Sequence, residues 1–296
     1  MNGSDWFLLG APWDCSGTGR GEARAPAALR DAGLADLVDL DLGDAATVIT
    51  STDRDRTTGV RALPETVAAA HALSAALWTG VRDHPGRRPL VLGGDCSLLL
   101  GVFAGARAAV GELGLWLLDG HPDYLDAPSS DTGETADLEL AILLGDGPPE
   151  LTRATPMLAA RNAALLGHRT TSLDPASAAE VARLPDDLFT IDSPALLADP
   201  RGAGERAAAW AAVPMWLHLD VDVLDPSVLP AVTYPQGGGP DLDQLAAVLA
   251  PLLASPRLIG VSVADFRPDL DPDHRYAKRL VSLLSGQPKI EVTHSG

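Results

Sequence analysis

Cysteine, lysine and positive charge are all scarce in this chain of 296 residues. Two cysteines, Cys15 and Cys96, are too few for a disulfide framework. The 22 basic residues include two lysines, Lys278 and Lys289, an Arg bias from which no function follows. Against them stand 40 acidic residues, for a formal charge of −18. That balance excludes general electrostatic attraction to nucleic acid or to an anionic membrane, and permits a small cationic substrate. Long apolar runs are missing too. The longest, Val67 to Val81, is broken by His71, Ser74 and Thr79 and reads as a helix, not a membrane span. Met1 to Asp5 has neither the basic region nor the apolar core of a signal peptide, so a cytoplasmic location is expected.

What is present is core-forming material. Hydrophobic residues make up 46% of the chain and charged ones 21%, enough to bury a large interior, and disorder is excluded. Short apolar runs at Trp6–Leu9, Leu90–Leu92, Leu115–Leu118, Ala164–Leu166, Met215–Leu219 and Leu258–Val263 have the continuous hydrophobicity of parallel strands covered on both faces. They alternate with helical segments at Ala25–Ala32, Pro64–Val81, Ser97–Val110, Ala176–Leu184, Ala203–Ala211, Leu242–Ala254 and Asp273–Leu284. This alternation predicts βαβ units in a three-layer αβα sandwich with a central, mostly parallel sheet. Ala45–Thr58 and Tyr124–Glu139 read as loops, and no linker divides the single domain expected over 1–296.

Chemistry-bearing residues follow the strands directly. One strand runs into Gly93-Gly94-Asp95-Cys96-Ser97, a second into Asp119-Gly120-His121-Pro122-Asp123, a third into Asp220-Val221-Asp222 and a fourth into Asp265. Ligand crevices in open α/β sheets lie beyond the carboxyl ends of the strands, so these residues should share one rim. Spacings of i, i+2 and i+4 place side chains on one face of extended backbone. Converging carboxylates repel one another unless cations neutralise them. Carboxylates with one imidazole suit Mn²⁺ or a similar divalent ion, and this many carboxylates suit two ions sharing an Asp and acidifying a bridging water.

On these motifs the chain resembles the ureohydrolase family of arginase and agmatinase. Further matching segments are Leu9-Gly10-Ala11-Pro12, Gly21, Ala25-Pro26, Leu29 to Leu34 and His218 to Pro226, in family order. The resemblance implies an arginase-like fold, two Mn²⁺ per chain and hydrolysis of a guanidino C–N bond by a metal-bridging hydroxide. It also implies a homo-oligomer, since relatives are often trimers or hexamers. Carried over by position, Asp119, His121, Asp123, Asp220 and Asp222 are the metal ligands and include the catalytic acids. Asp119 and Asp220 match bridging carboxylates, and His121 and Asp222 match ligands of the second ion. Asp265 falls where the family has a Glu that contacts the guanidinium.

The chain departs from the family at three places. Cys96 stands where most members have a His ligand to the first ion. Either its thiolate is a ligand, or that site is weak, or Cys96 is a small buried residue that packs and binds nothing. The position of arginase's proton-shuttling His is Ala136, and no His lies between His121 and His168; Glu134 and Asp137 are the nearby carboxyl candidates, or else ordinary loop acids. Gly167-His168-Arg169-Thr170-Thr171 lacks the acid that grips free arginine in the family. Cys96, Asp131-Thr132-Gly133, His218 and Pro230 to Tyr234 together are similar to the Nω-hydroxy-L-arginine hydrolase branch, which releases hydroxyurea. Glu134 and His218 join Asp265 as candidates on the substrate side, with His218 read alternatively as a donor to a metal ligand or as a core His. Hydrolysis of a formimino or amide group on the same fold, and a family member without turnover, are the rival readings.

Overall fold

A computed structural model describes residues 3–152 and 156–285; residues 1, 2 and 286–296 of the expected domain, Lys289 among them, lie outside the described residues. Eight parallel strands form one sheet: β1 (Trp6–Ala11), β2 (Asp41–Asp44), β3 (Arg88–Gly93), β4 (Gly114–Leu118), β5 (Ala163–Leu166), β6 (Phe189–Ile191), β7 (Met215–Asp220) and β8 (Leu258–Ala264). Their order across the sheet is β2-β1-β3-β8-β7-β4-β5-β6, every pairing parallel.

The six strands read from the sequence are the six inner ones, and both edge strands escape that reading. The reason is burial. Inner strands such as β4 and β7 are buried at every position, which forces a continuous apolar run. The edge strand β2, Asp-Leu-Gly-Asp, is exposed throughout and its side chains are mostly polar. The other edge, β6, has only three residues.

The period-two alternation along each inner strand sorts side chains into two separate cores. Phe7, Leu9, Val91, Leu115, Leu117, Leu165 and Trp216 face one way, toward the layer of helices α2 (Leu63–Asp83) and α3 (Leu98–Val110). Trp6, Leu8, Leu90, Leu92, Trp116, Leu118, Leu217 and Leu219 face the other. That second layer contains α1 (Ala25–Leu29), α8 (Pro200–Trp210), α9 (Leu242–Leu253) and α10 (Arg275–Ser285). The expected three-layer αβα sandwich is therefore the observed one. Between the long helices lie α4 (Glu139–Leu144), α5 (Pro149–Thr152), α6 (Pro175–Val181) and α7 (Ser193–Ala198). Asp174, Asp192 and Asp199 cap α6, α7 and α8 by accepting backbone N–H bonds, each with a Pro in the first turn, so local sequence fixes where these helices begin.

One constraint concerns the loop after β3. Gly94 N–H donates to the Ala11 carbonyl at 2.9 Å, and a Cβ at Gly94 would fall on the backbone carbonyl of Trp13. Backbone cannot swing aside as a side-chain tip can, so overpacking of this kind costs about 1–3 kcal/mol. Gly94→Ala should lower the urea unfolding midpoint accordingly, and an unchanged midpoint would contradict this packing.

Candidate metal centre

The four central strands of the sheet, β3, β8, β7 and β4, are neighbours, and their carboxyl ends carry the motifs singled out in the sequence. Register keeps those ends level: Leu92 lies opposite Val263, Leu219 opposite Val263, and Leu118 opposite Leu219. The chain therefore leaves all four strands at one rim. One ligand atom from each of Cys96, Asp119, Asp123 and Asp220 lies within 4.8 Å of the others, and the same holds for Asp119, His121 and Asp222. Asp119 is common to both groups, as a carboxylate shared by two ions would be. Asp220 falls in the first group alone, with Oδ1 taken by the Asp222 N–H at 2.6 Å and Oδ2 facing the Cys96 sulfur at 2.9 Å.

Backbone donors and unusual dihedrals set these side chains. The N–H of His121 donates to Asp119 at 2.6 Å, and that of Gly120 to Asp222 at 3.0 Å. Asp123 and Asp265 both have positive φ, 49° and 66°. Neither is glycine, so each conformation costs on the order of 1–3 kcal/mol and persists because its surroundings over-determine it. Asp265 is further tied by its N–H to the Gly94 carbonyl at 2.7 Å.

The electrostatics are those of an acid cluster short of positive charge. Asp119, Asp123, Asp220 and Asp222 are all buried. Burial first, then repulsion from Asp222, holds Asp119 well above the usual carboxylate range. Burial and Asp119 do the same to Asp123, and burial and Asp222 to Asp220. Burial pushes Asp265 up to about 7. His121 balances Asp222: burial lowers its pKa, but Asp222 at 2.8 Å and Asp119 outweigh that and lift it to about 9. Asp119 Oδ2 is buried with no hydrogen-bond partner. Hard oxygens with one imidazole, one unsatisfied oxygen and mutual repulsion fit a pair of divalent cations.

Two features were not anticipated, a buried acid beside the cluster and an ion pair outside it. Glu139, at the start of α4, is wholly buried against Asp123, and burial followed by Asp119 raises its pKa strongly. It sits at the end of a stretch that reads as loop, where an acid carries no burial signal. Arg20 donates to Glu134 at 2.7 Å and to the Tyr234 hydroxyl at 3.3 Å.

Glu134 and Asp137 stand outside both ligand groups. Glu134 is committed to Arg20, while Asp137 accepts from Ser130 Oγ at 2.7 Å and Thr132 Oγ1 at 3.0 Å. His218 is the remaining candidate expected on the substrate side. It is fully buried behind Cys96, with Nε2 3.0 Å from Sγ and Nδ1 2.7 Å from Ser262 Oγ. It is not a core His satisfied by backbone, because both of these partners are side chains.

The raised carboxyl pKa values carry a sign. In chelated protein Asp119, Asp123, Asp220 and Glu139 hold protons at pH values where the unfolded chain has lost them. The native state then binds more protons than the unfolded one, so stability falls as pH rises above the unfolded carboxyl pKa of about 4. His121 acts in the same direction, its contribution present below about 6.5 and lost as pH rises through about 9. Chelated protein should therefore melt at a higher temperature at pH 5.5 than at pH 8, and Mn²⁺ should raise the pH 8 value most. The opposite order in a calorimetric pH series would contradict the electrostatics described.

Comparison with known proteins agrees with this geometry. The profile of the arginase family matches residues 4–285. Arginase from Brucella melitensis is 30% identical over 297 residues, covering 94% of this chain and 94% of the relative, and arginase from Brevibacillus brevis is 29% identical over 288 residues, covering 94% and 95%. Among solved structures, Bacillus caldovelox arginase superimposes with a TM-score of 0.84 at 26% identity, covering 97% of this chain and 99% of that one. Bacillus cereus arginase gives the same TM-score at 24% identity, a likeness of fold. The chain belongs to the arginase family of hydrolases.

Proposed function

We propose that this protein hydrolyses a guanidino-type C–N bond and releases urea or a substituted urea, with two Mn²⁺ ions per chain. The observation that carries the reading is the pair of ligand groups joined through Asp119 at the carboxyl ends of four adjacent strands. Cys96, Asp119, Asp123 and Asp220 would hold one ion, and Asp119, His121 and Asp222 the other. Bound there, such a pair would supply an acidified water and offset the negative charge on the oxygen that attacks the guanidino carbon.

The chain's own residues do the rest. Asp265 is partly exposed at the end of β8, suited to hold a planar cation by charge-assisted hydrogen bonds. It is one methylene shorter than the family's Glu and so reaches less far, on a backbone held in the left-handed region. The short reach and the missing shuttle His favour a guanidine modified at the terminal nitrogen over free arginine. The loop that follows β5 supports the same preference: Thr170 spends its hydroxyl on Asp192 at 2.8 Å, and Arg169 donates to the carbonyls of Gly167 and Gln236.

Asp123→Ala and Asp220→Ala should each lower kcat/KM by more than about 100-fold, beyond what loss of an outer-shell partner costs, with circular dichroism unchanged. Full activity after thorough chelation would overturn the metal-dependent reading. A panel of arginine, Nω-hydroxyarginine and agmatine, followed by release of urea, hydroxyurea, formamide and acetate, tests the substrate. Hydroxyurea from Nω-hydroxyarginine is expected to form fastest. Formamide or acetate from formimino or acetyl substrates in the same panel would point to the rival amide chemistry instead.

A further inference from the structure

Behind the ligand groups runs a chain of buried polar side chains that metal binding alone does not require. Trp216, His218 and Asp220 alternate along one face of β7, and register sets Gly260, Ser262 and Ala264 beside them on β8. Gly260 is needed there, because a Cβ at that position would meet the Trp216 ring. Trp216 Nε1 donates to Ser262 Oγ at 2.8 Å, Ser262 Oγ is 2.7 Å from His218 Nδ1, and His218 Nε2 is 3.0 Å from Cys96 Sγ. Ser262, His218 and Cys96 have no exposed surface, and Trp216 has almost none.

Donor counting fixes the direction of this chain. An indole N–H only donates, so Ser262 Oγ accepts from Trp216. The Ser262 hydrogen then needs an acceptor, and His218 Nδ1 is the group within reach. With Nδ1 accepting, the imidazole hydrogen resides on Nε2 and points at the Cys96 sulfur.

We infer that Trp216, Ser262 and His218 form a positioning relay that delivers an Nε2–H···Sγ hydrogen bond to Cys96 and presents that sulfur to the first metal ion as a ligand. The inference rests on the metal-centre part of the proposed function and not on the identity of the substrate. A His ligand donates the N–H of its second ring nitrogen to an outer partner, which sets its orientation and strength. Here the sulfur is the ligand and the His has moved behind it, so the orienting hydrogen bond runs from imidazole to thiolate. Hydrogen bonds to a metal-bound sulfur tune its electronic character.

Two measurements test this without turnover. In ¹⁵N NMR of the wild-type protein, His218 should be the neutral tautomer with Nε2 protonated and Nδ1 accepting; an Nδ1–H tautomer overturns the relay. Co²⁺-loaded protein should show a near-ultraviolet sulfur-to-cobalt charge-transfer band that is lost in Cys96→Ala. Ser262→Ala and His218→Phe should move that band to longer wavelength and weaken first-ion affinity by about 10–100-fold, and Ser262→Thr, which keeps the hydroxyl, should restore both. Absence of the band in wild-type protein carrying two Co²⁺, or a band unmoved in folded Ser262→Ala and His218→Phe, overturns the inference. A protein with the band but no guanidine hydrolysis would sink the proposed reaction alone, and an active enzyme without the band would sink the relay alone.

Discussion

Repulsion among carboxylates brought to one edge of a sheet is the constraint on which this structure turns. Two unit charges 4 Å apart at a protein-like dielectric near 20 repel by about 4 kcal/mol. Several such pairs together match the whole stability of a typical domain, about 5–15 kcal/mol. Asp119, Asp123, Asp220 and Asp222 cannot therefore all be ionised beside one another without positive charge among them. His121 answers Asp222, and the other three answer to protons or to cations. The sheet makes the convergence unavoidable, because β3, β8, β7 and β4 are adjacent and end level.

Much of this was legible in the sequence, for reasons that also explain what was not. Inner strands advertise themselves because both faces are buried, and acids placed directly after an apolar run mark a strand's carboxyl end. Asp119, His121, Asp220 and Asp222 were readable on that logic, and the family resemblance assigned them to two ions. The edge strands lacked the signal because an edge tolerates polar side chains. Glu139 and the Arg20–Glu134 pair were hidden for another reason: their positions depend on how long loops fold back, and spacing along the chain does not encode that. Asp220 falls in one ligand group and not both, a placement that spacing along the chain does not encode either.

Two of the residues that set this chain apart from the family's pattern meet in space. Cys96 and His218 touch, and Ser262 and Trp216 stand behind them in register on β7 and β8. A His ligand replaced by Cys alone would leave a softer, shorter side chain at the rim. In the proposed relay His218 would give that sulfur a donor and a fixed direction, while Asp220 lies against its other side at 2.9 Å. The segment around Ala136 is held by hydroxyl and ion-pair contacts of its own.

Metal stoichiometry is the most direct test of this account. Protein dialysed to equilibrium against Mn²⁺ and assayed by elemental analysis should hold two ions per chain, and Asp222→Ala should reduce that number to one. Fewer than one ion per chain in the unaltered protein, with Mn²⁺ freely supplied, would contradict the central claim that the acid cluster is a binuclear metal centre.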